Sequence, residues 1–194
     1  MIDVAEYFDA KASNWDASAH TSSPIQPAVA ALAGVGDGSS VLDLGCGTGV
    51  MVSEYLKAGA ERVLGVDVSP QMIARAREKF SGEGRVEFIA SDAVDLEPRD
   101  TFDAAVIYNA YPHFLKRELL VRKVAELLAP HGRFTIAHGA GRDQINGHHR
   151  HGVPGEVVCE LRAAEEECDI WRDLFTIDAV IDTPEFYAFS GFLK

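Results

Sequence analysis

The sequence predicts an α/β fold, a doubly wound and mostly parallel seven-stranded sheet that ends in a C-terminal antiparallel hairpin. Three observations predict it. From residue 41 onward, short apolar runs alternate with segments whose apolar residues repeat at helical spacing. Those runs are near-continuous in apolar residues, as in a parallel sheet covered by helices on both faces. The last two runs, 175–181 and 186–192, are linked tightly through Thr183-Pro184, too short a connection for a parallel crossover.

Taken in order, residues 1–23 carry a weak helical pattern. The first strand is expected at 41–44, followed by a helix over 50–58 that Gly59 stops. A second strand is expected at 62–66. Ser69 then caps a helix with Pro70 in its first turn, and Met72, Ile73, Ala76 and Phe80 form its apolar stripe. Strands follow at 85–89 and 102–108. Leu120, Val124, Leu127 and Leu128 mark the next helix, ended by Pro130 and Gly132, before a fifth strand at 133–138. Residues 139–160 read as irregular and polar, and 161–172 as a helix that leads into the hairpin. The aromatic run 186–192 is assigned either to the interior or to a dimer edge.

With 194 residues, 47% apolar and 25% charged, the chain suits one domain with a core that needs no disulfide or metal staple. Its formal charge is −12, from 30 acidic and 18 basic side chains, and no Lys/Arg cluster is present to neutralise phosphates. No nucleic-acid partner is expected. Three cysteines without metal-ligand spacing suggest reduced thiols, and the N-terminus lacks the pattern of a signal peptide. No apolar run approaches the roughly 18 residues of a membrane span. A soluble, cytoplasmic protein is therefore expected, without a membrane partner and either monomeric or homodimeric.

The chemistry is carried by Gly45-Cys46-Gly47-Thr48-Gly49, which follows the first strand and opens a helix. Glycines allow a sharp turn and a close ligand approach, and the helix start offers free N–H groups to an anion. The alternative is a tight turn with no ligand. A nucleoside triphosphate loop would need a Gly-Lys-Ser/Thr sequence, and no lysine follows these glycines. A dinucleotide turn prefers a glycine three positions beyond Gly47, where Val50 stands. S-adenosylmethionine remains, because its methionyl carboxylate suits a short glycine turn. Asp67 ends the second strand, 22 positions after Gly45, where a carboxylate accepts from ribose hydroxyls. Asp92 follows the third strand, placed to accept from an adenine amino group. Each acid alone is equally a solvated loop acid or a helix cap, but the strand ends that carry them face one crevice.

Here the chain resembles the class I S-adenosylmethionine-dependent methyltransferases. The likeness runs through VLDLGCGTGV, VLGVDVSPQMIARAREKF, VEFIASDAVDL, FDAAVIYNAYPHF and LLAPHGRFTIAH, and reaches YFDAKASNWD near the N-terminus. It is similar in particular to the small ubiquinone/menaquinone-like group. The resemblance implies that Gly45, Cys46, Gly47 and Gly49 hold the methionyl part and that Asp43 organises its ammonium. It further implies that Asp67 with Val68 holds the ribose, and that Asp92, Ala93 and Met72 surround the adenine. Tyr108 and Asn109 would line the sulfonium side, with S-adenosylhomocysteine as product. Met72 is equally accounted for by core packing.

Methyl transfer from a sulfonium is an in-line displacement, so an aligned donor and a dry pocket do most of the work. Aromatic faces stabilise the sulfonium charge, which makes Tyr7, Phe8 and Trp15 candidates for an N-terminal lid; a short helix packed on the domain explains them equally. His113, His138 and His148 are the candidate proton acceptors, the last within the polar stretch 141–151 together with His149 and Arg142. The three would also suit Zn²⁺. Adjacent loop histidines are more often solvated, so no metal is expected. The division is then a lid at 1–23, a cofactor-binding core at 24–138, and a substrate loop with hairpin at 139–194. The expected activity is methyl transfer to a small molecule. The alternatives are a protein methyltransferase, a regulatory protein that binds the cofactor without turnover, or a nicotinamide-dependent oxidoreductase.

Overall fold

A computed structural model describes residues 2–17, 24–97 and 100–194. Of the segment 1–23 read as a lid, residues 1 and 18–23 lie outside the described residues. Seven strands form one sheet: β1 (Ser40–Leu44), β2 (Arg62–Asp67), β3 (Val86–Ala90), β4 (Phe102–Tyr108), β5 (Leu128–His138), β6 (Phe175–Asp182) and β7 (Tyr187–Leu193). Their spatial order is β3-β2-β1-β4-β5-β7-β6. The first five pair in parallel, and β7 inserts antiparallel between β5 and β6. The aromatic last strand is therefore interior to the sheet, with Tyr187 and Phe189 fully buried.

The helices are α1 (Val4–Lys11), α2 (Gln26–Leu32), α3 (Val52–Ala58), α4 (Pro70–Lys79), α5 (Arg117–Leu127), α6 (Arg142–Gly152) and α7 (Ala164–Glu167). Alternation along each strand supplies two cores, one per sheet face. Leu42 and Leu44 of β1 join Ile107, Phe134 and Trp171 on one side. Val41 joins Val63, Val106 and Tyr55 on the other. Trp171 stacks on Phe134 with centroids 4.1 Å apart, which fixes the chain after α7 against β5. Ser69 caps α4 as expected, its side chain accepting from Met72 N, with Pro70 at the first helical position.

Three expectations are corrected. The polar stretch 139–160 contains the helix α6. It carries a single large aliphatic residue, Ile145, and is held by Asn146, whose amide exchanges two 2.9 Å hydrogen bonds with the backbone of Leu161. That clamp leaves Ala163 extended, so the helix expected over 161–172 shrinks to α7 and a short 3-10 turn, Cys168–Ile170. Leu128 belongs to β5, paired with Phe102. The helix stops at Leu127, ahead of Pro130.

Chain order sets the position of the site. From β1 the chain winds outward through β2 to β3, then returns to β4 on the other side of β1. The loops leaving β1 and β4 therefore diverge, opening a crevice at their C-terminal ends.

Candidate active site

That crevice holds a cavity of about 210 Å³, floored by the ends of β1, β2 and β4 and roofed by α1 and the turn after it. Its centre is the glycine turn. The N–H groups of Gly45 and Cys46 both donate to Val66 O, at 2.8 and 3.0 Å, tying the turn to β2. Gly45 has φ +73°, and a Cβ there would lie 2.6 Å from the Ala110 Cβ, so the loop after β4 is packed on bare backbone. Gly45→Ala is expected to cost about 1–3 kcal/mol through backbone strain and this clash, measurable by urea denaturation. Gly49 falls outside the lining. A Cβ at that position would meet the Phe80 ring at 2.7 Å, and this packing accounts for the glycine.

Three carboxylates line the cavity. Asp67 Oδ2 accepts from Gly47 N and its Oδ1 from Ser69 N, both at 2.9 Å, so it braces the turn against the start of α4. Burial pushes its pKa up, and these two N–H groups oppose the shift. Asp92 Oδ1 accepts from Val94 N at 3.1 Å, and its other oxygen is 3.9 Å from Lys116 Nζ at the mouth. Asp43 is only 1% exposed. Its Oδ1 accepts from the Tyr55 hydroxyl at 3.4 Å, while its Oδ2 has no partner. Burial raises its pKa to about 7; the Tyr55 bond opposes the shift and Asp67 adds to it.

Cys46, Gly47, Val68, Met72, Ala93, Tyr108 and Asn109 also line the cavity. Burial drives the Cys46 thiol well above its ordinary pKa, which leaves it a packing residue and not a nucleophile. Asn109, at φ +54°, donates its N–H to Ala137 O and accepts Gly139 N at its Oδ1, each at 2.9 Å. It locks the ends of β4 and β5 together.

The roof is polar on its outer side and aromatic within. Asp9 accepts from Ser69 Oγ and from Gln71 N, and Asp16 accepts from Thr48 Oγ1 and pairs with Lys79 at 2.9 Å. These contacts seat Phe8 and Trp15 on the cavity. Tyr7 falls outside the lining. It faces away, with its hydroxyl 3.5 Å from Gly152 O of α6.

Of the candidate histidines, His113 alone lines the cavity. His138 is buried at the end of β5 and its Nε2 has no partner; burial first, then neighbouring His113 and His149, lower its pKa to about 3. His148 also lies outside the lining, and it is His149 that reaches the His113 ring, with centroids 5.2 Å apart. Among the described residues, no group of three or more His, Cys, Asp or Glu is arranged to hold a metal ion. Sequence reasoning missed the mouth, formed by Phe114, Leu115 and Lys116. The signal was present in the apolar pair directly after His113.

Residues 41–132 match the family described as Methyltransferase domain. Over that segment, a little under half of the chain, it is similar to S-adenosylmethionine-dependent methyltransferases. The chain is 29% identical over 156 residues to the ribosomal protein L11 methyltransferase of Salmonella arizonae, a match that spans 80% of the chain and 45% of that relative. It therefore covers less than half the length of the curated relatives it matches. Its fold matches the methyltransferase solved with the Trm112 activator of Haloferax volcanii, at TM-score 0.77 and 21% identity over 96% of this chain and 97% of the other. It also matches the N-methyltransferase NodS of Bradyrhizobium japonicum in complex with S-adenosyl-L-homocysteine, at TM-score 0.76 and 16% identity over 98% of each chain.

The residues of the cavity fit S-adenosylmethionine. An unpartnered carboxylate oxygen, buried at Asp43, calls for a cation such as the methionyl ammonium. At Gly47 the nearest heavy atom to the place of a Cβ is Trp15 Nε1 at 3.5 Å, which leaves the backbone open to close approach.

Proposed function

We propose that the chain transfers the methyl group of S-adenosylmethionine to a small molecule. The unpartnered oxygen of Asp43 on the cavity wall carries the reading, because a buried lone carboxylate is costly unless a ligand cation completes it. The cofactor supplies an electrophilic methyl on a sulfonium. Asp43 holds its ammonium, Gly45 to Gly47 its methionyl backbone, Asp67 with Val68 its ribose, and Asp92 with Ala93 and Met72 its adenine. Tyr108 and Asn109 face the sulfonium side, and Phe8 and Trp15 exclude water from above. Asp67 keeps acceptor capacity for a ribose hydroxyl, since each of its oxygens uses one of two lone-pair positions.

A small acceptor is favoured by the roof that Val4, Phe8 and Trp15 place over the cavity. The strongly acidic charge supports a soluble cytoplasmic protein that does not act on nucleic acid, and among the described residues no helix is long and apolar enough to cross a membrane.

Calorimetric titration with S-adenosylhomocysteine tests the assignment. Asp67→Ala is expected to weaken binding by about 1–3 kcal/mol through loss of charge-assisted hydrogen bonds. Unchanged affinity in a folded variant would reject the ribose role. Transfer of labelled methyl from the cofactor into low-mass extract, against transfer into ribosomal protein, separates a small acceptor from a protein one.

A further inference from the structure

The wall around His113 carries information about the acceptor. His113 sits in the 3-10 turn Tyr111–His113, directly after β4. Its Nδ1 is 2.8 Å from the carbonyl oxygen of Val157. A carbonyl only accepts, so Nδ1 carries the hydrogen and Nε2 of the neutral ring bears a lone pair. The tautomer is held firmly, because Cys159 N donates to Pro112 O at 2.8 Å and fastens the segment around Val157 to the turn. Burial pushes the pKa of His113 down, which keeps the ring neutral at pH 7.

The surroundings of this nitrogen are apolar or neutral. Phe8 of α1 meets the His113 ring edge-on at 4.8 Å, and Phe114, Leu115 and Val4 line the adjoining wall. His149 of α6 and His138 of β5 are its titratable neighbours, and burial lowers the pKa of both, to about 4 and about 3. Arg117 of α5 is the charged group that acts on this cluster, and it is paired with Glu167. The amide oxygen of Asn109 accepts from Gly139 N, and this residue is assigned to the sulfonium side of the cofactor. The carboxylates of the same cavity, Asp43, Asp67 and Asp92, are assigned to the cofactor, so the wall beside His113 offers the acceptor one lone pair for one proton. An amine brings two or more N–H groups, and when protonated a charge, that this wall does not answer. A phenolic hydroxyl brings one proton of ordinary pKa about 10 and a flat ring that suits Phe8 and Phe114.

Building on the methyl-transfer reading, we infer that the acceptor is an aromatic hydroxyl on an uncharged, apolar body and that His113 Nε2 takes its proton. As the phenol oxygen bonds to the methyl carbon, the carbon–sulfur electron pair withdraws onto sulfur and the O–H proton passes to Nε2. The products are an aryl methyl ether, a neutral thioether and an imidazolium, which returns its proton to water.

Matched acceptors test the inference: 4-butylphenol, 4-butylaniline and 4-butylthiophenol, each with S-adenosylmethionine. The wild type should methylate the phenol in preference to the other two. His113→Gln should lower kcat roughly 100-fold or more and remove the acidic limb of the kcat profile at saturating S-adenosylmethionine, while the affinity for S-adenosylhomocysteine stays within about twofold of wild type, as expected of a group that does not touch the cofactor. His113→Asn replaces it if the glutamine variant fails to bind that ligand. Imidazole ¹⁵N shifts of the wild type, read without turnover, should report the Nδ1–H tautomer of His113 at pH 7. Preference for the aniline or thiol, no methylation of the phenol by cofactor-bound protein, the opposite tautomer, or an unimpaired variant each overturns the hydroxyl assignment and leaves the cofactor reading standing. Wild type that does not bind S-adenosylhomocysteine overturns both.

Discussion

Glu167→Ala should destabilise the protein by about 3–5 kcal/mol, the loss expected when one partner of a buried ion pair is removed. Glu167 is fully buried on α7 and serves three elements at once. Its Oε1 is 2.5 Å from Arg117 of α5 and accepts from Arg162 N at 3.1 Å, and its Oε2 accepts from the Tyr111 hydroxyl at 3.3 Å. Arg117 is itself almost buried, so the alanine variant would strand a cation beneath Tyr111, whose ring it covers at 4.5 Å. For a domain of this size that loss corresponds to a fall in Tm on the order of 10 °C, readable by differential scanning calorimetry. A fall of under about 1 kcal/mol would show that the pair behaves as a surface bridge. Because Tyr111 and His113 share one 3-10 turn, the same variant should also loosen the wall of the active site.

The second large effect is a pH dependence of cofactor affinity that originates at Asp43. Its folded pKa lies near 7, above the ordinary carboxylate value, because burial opposes ionisation. Ligand cations need the ionised form, so at pH below about 7 a proton must leave before the ammonium is paired. Affinity for S-adenosylhomocysteine should therefore fall by up to about tenfold per pH unit between pH 7 and 5.5. Above pH 7 it should level off. The stability of the ligand-free protein has the opposite sign: the contribution of a group whose folded pKa is raised is fully present below pH 3.8 and is lost as pH rises through 7. The thermal stabilisation given by the ligand should accordingly grow from pH 5.5 to 7.5. Asp43→Asn should flatten both profiles, and a wild-type profile that is already flat would remove Asp43 from the ammonium site.

The parallel core was legible in the sequence because its strands are apolar on both faces and its punctuation is local. Gly45 and Gly59 hold a positive φ that few other residues tolerate, Pro70 fixes its own φ, and Ser69 caps α4 through its side chain. The region after β5 was illegible for the opposite reason. Arg142–Gly152 forms a helix with Ile145 as its one large aliphatic residue, fixed by the amide of Asn146 and by ring contacts of His149, neither of which leaves a periodic trace. Within the site, the glycine turn, Asp67 and Asp92 could be put on the crevice from spacing and strand order, whereas Asp43, Val68, Met72, Ala93, Tyr108 and Asn109 needed the family resemblance. The side a residue faces could not. His138 and Tyr7 lie at the expected places along the chain, yet His138 is turned into the core and Tyr7 toward α6. Gly49 holds φ +78° and packs its bare backbone against Phe80, outside the cavity lining.

The reversal of strand order at β1 has a consequence for how such a chain tolerates change. Two neighbouring strands send their loops in opposite directions, and the gap between them is a product of connectivity. No point substitution can close it, whereas side chains on its far rim can be exchanged without touching the path of the backbone. Proteins only 16–21% identical to this one retain its shape across nearly the whole length. Specificity is thus free to drift on a scaffold whose binding place is inherited with the winding of the chain.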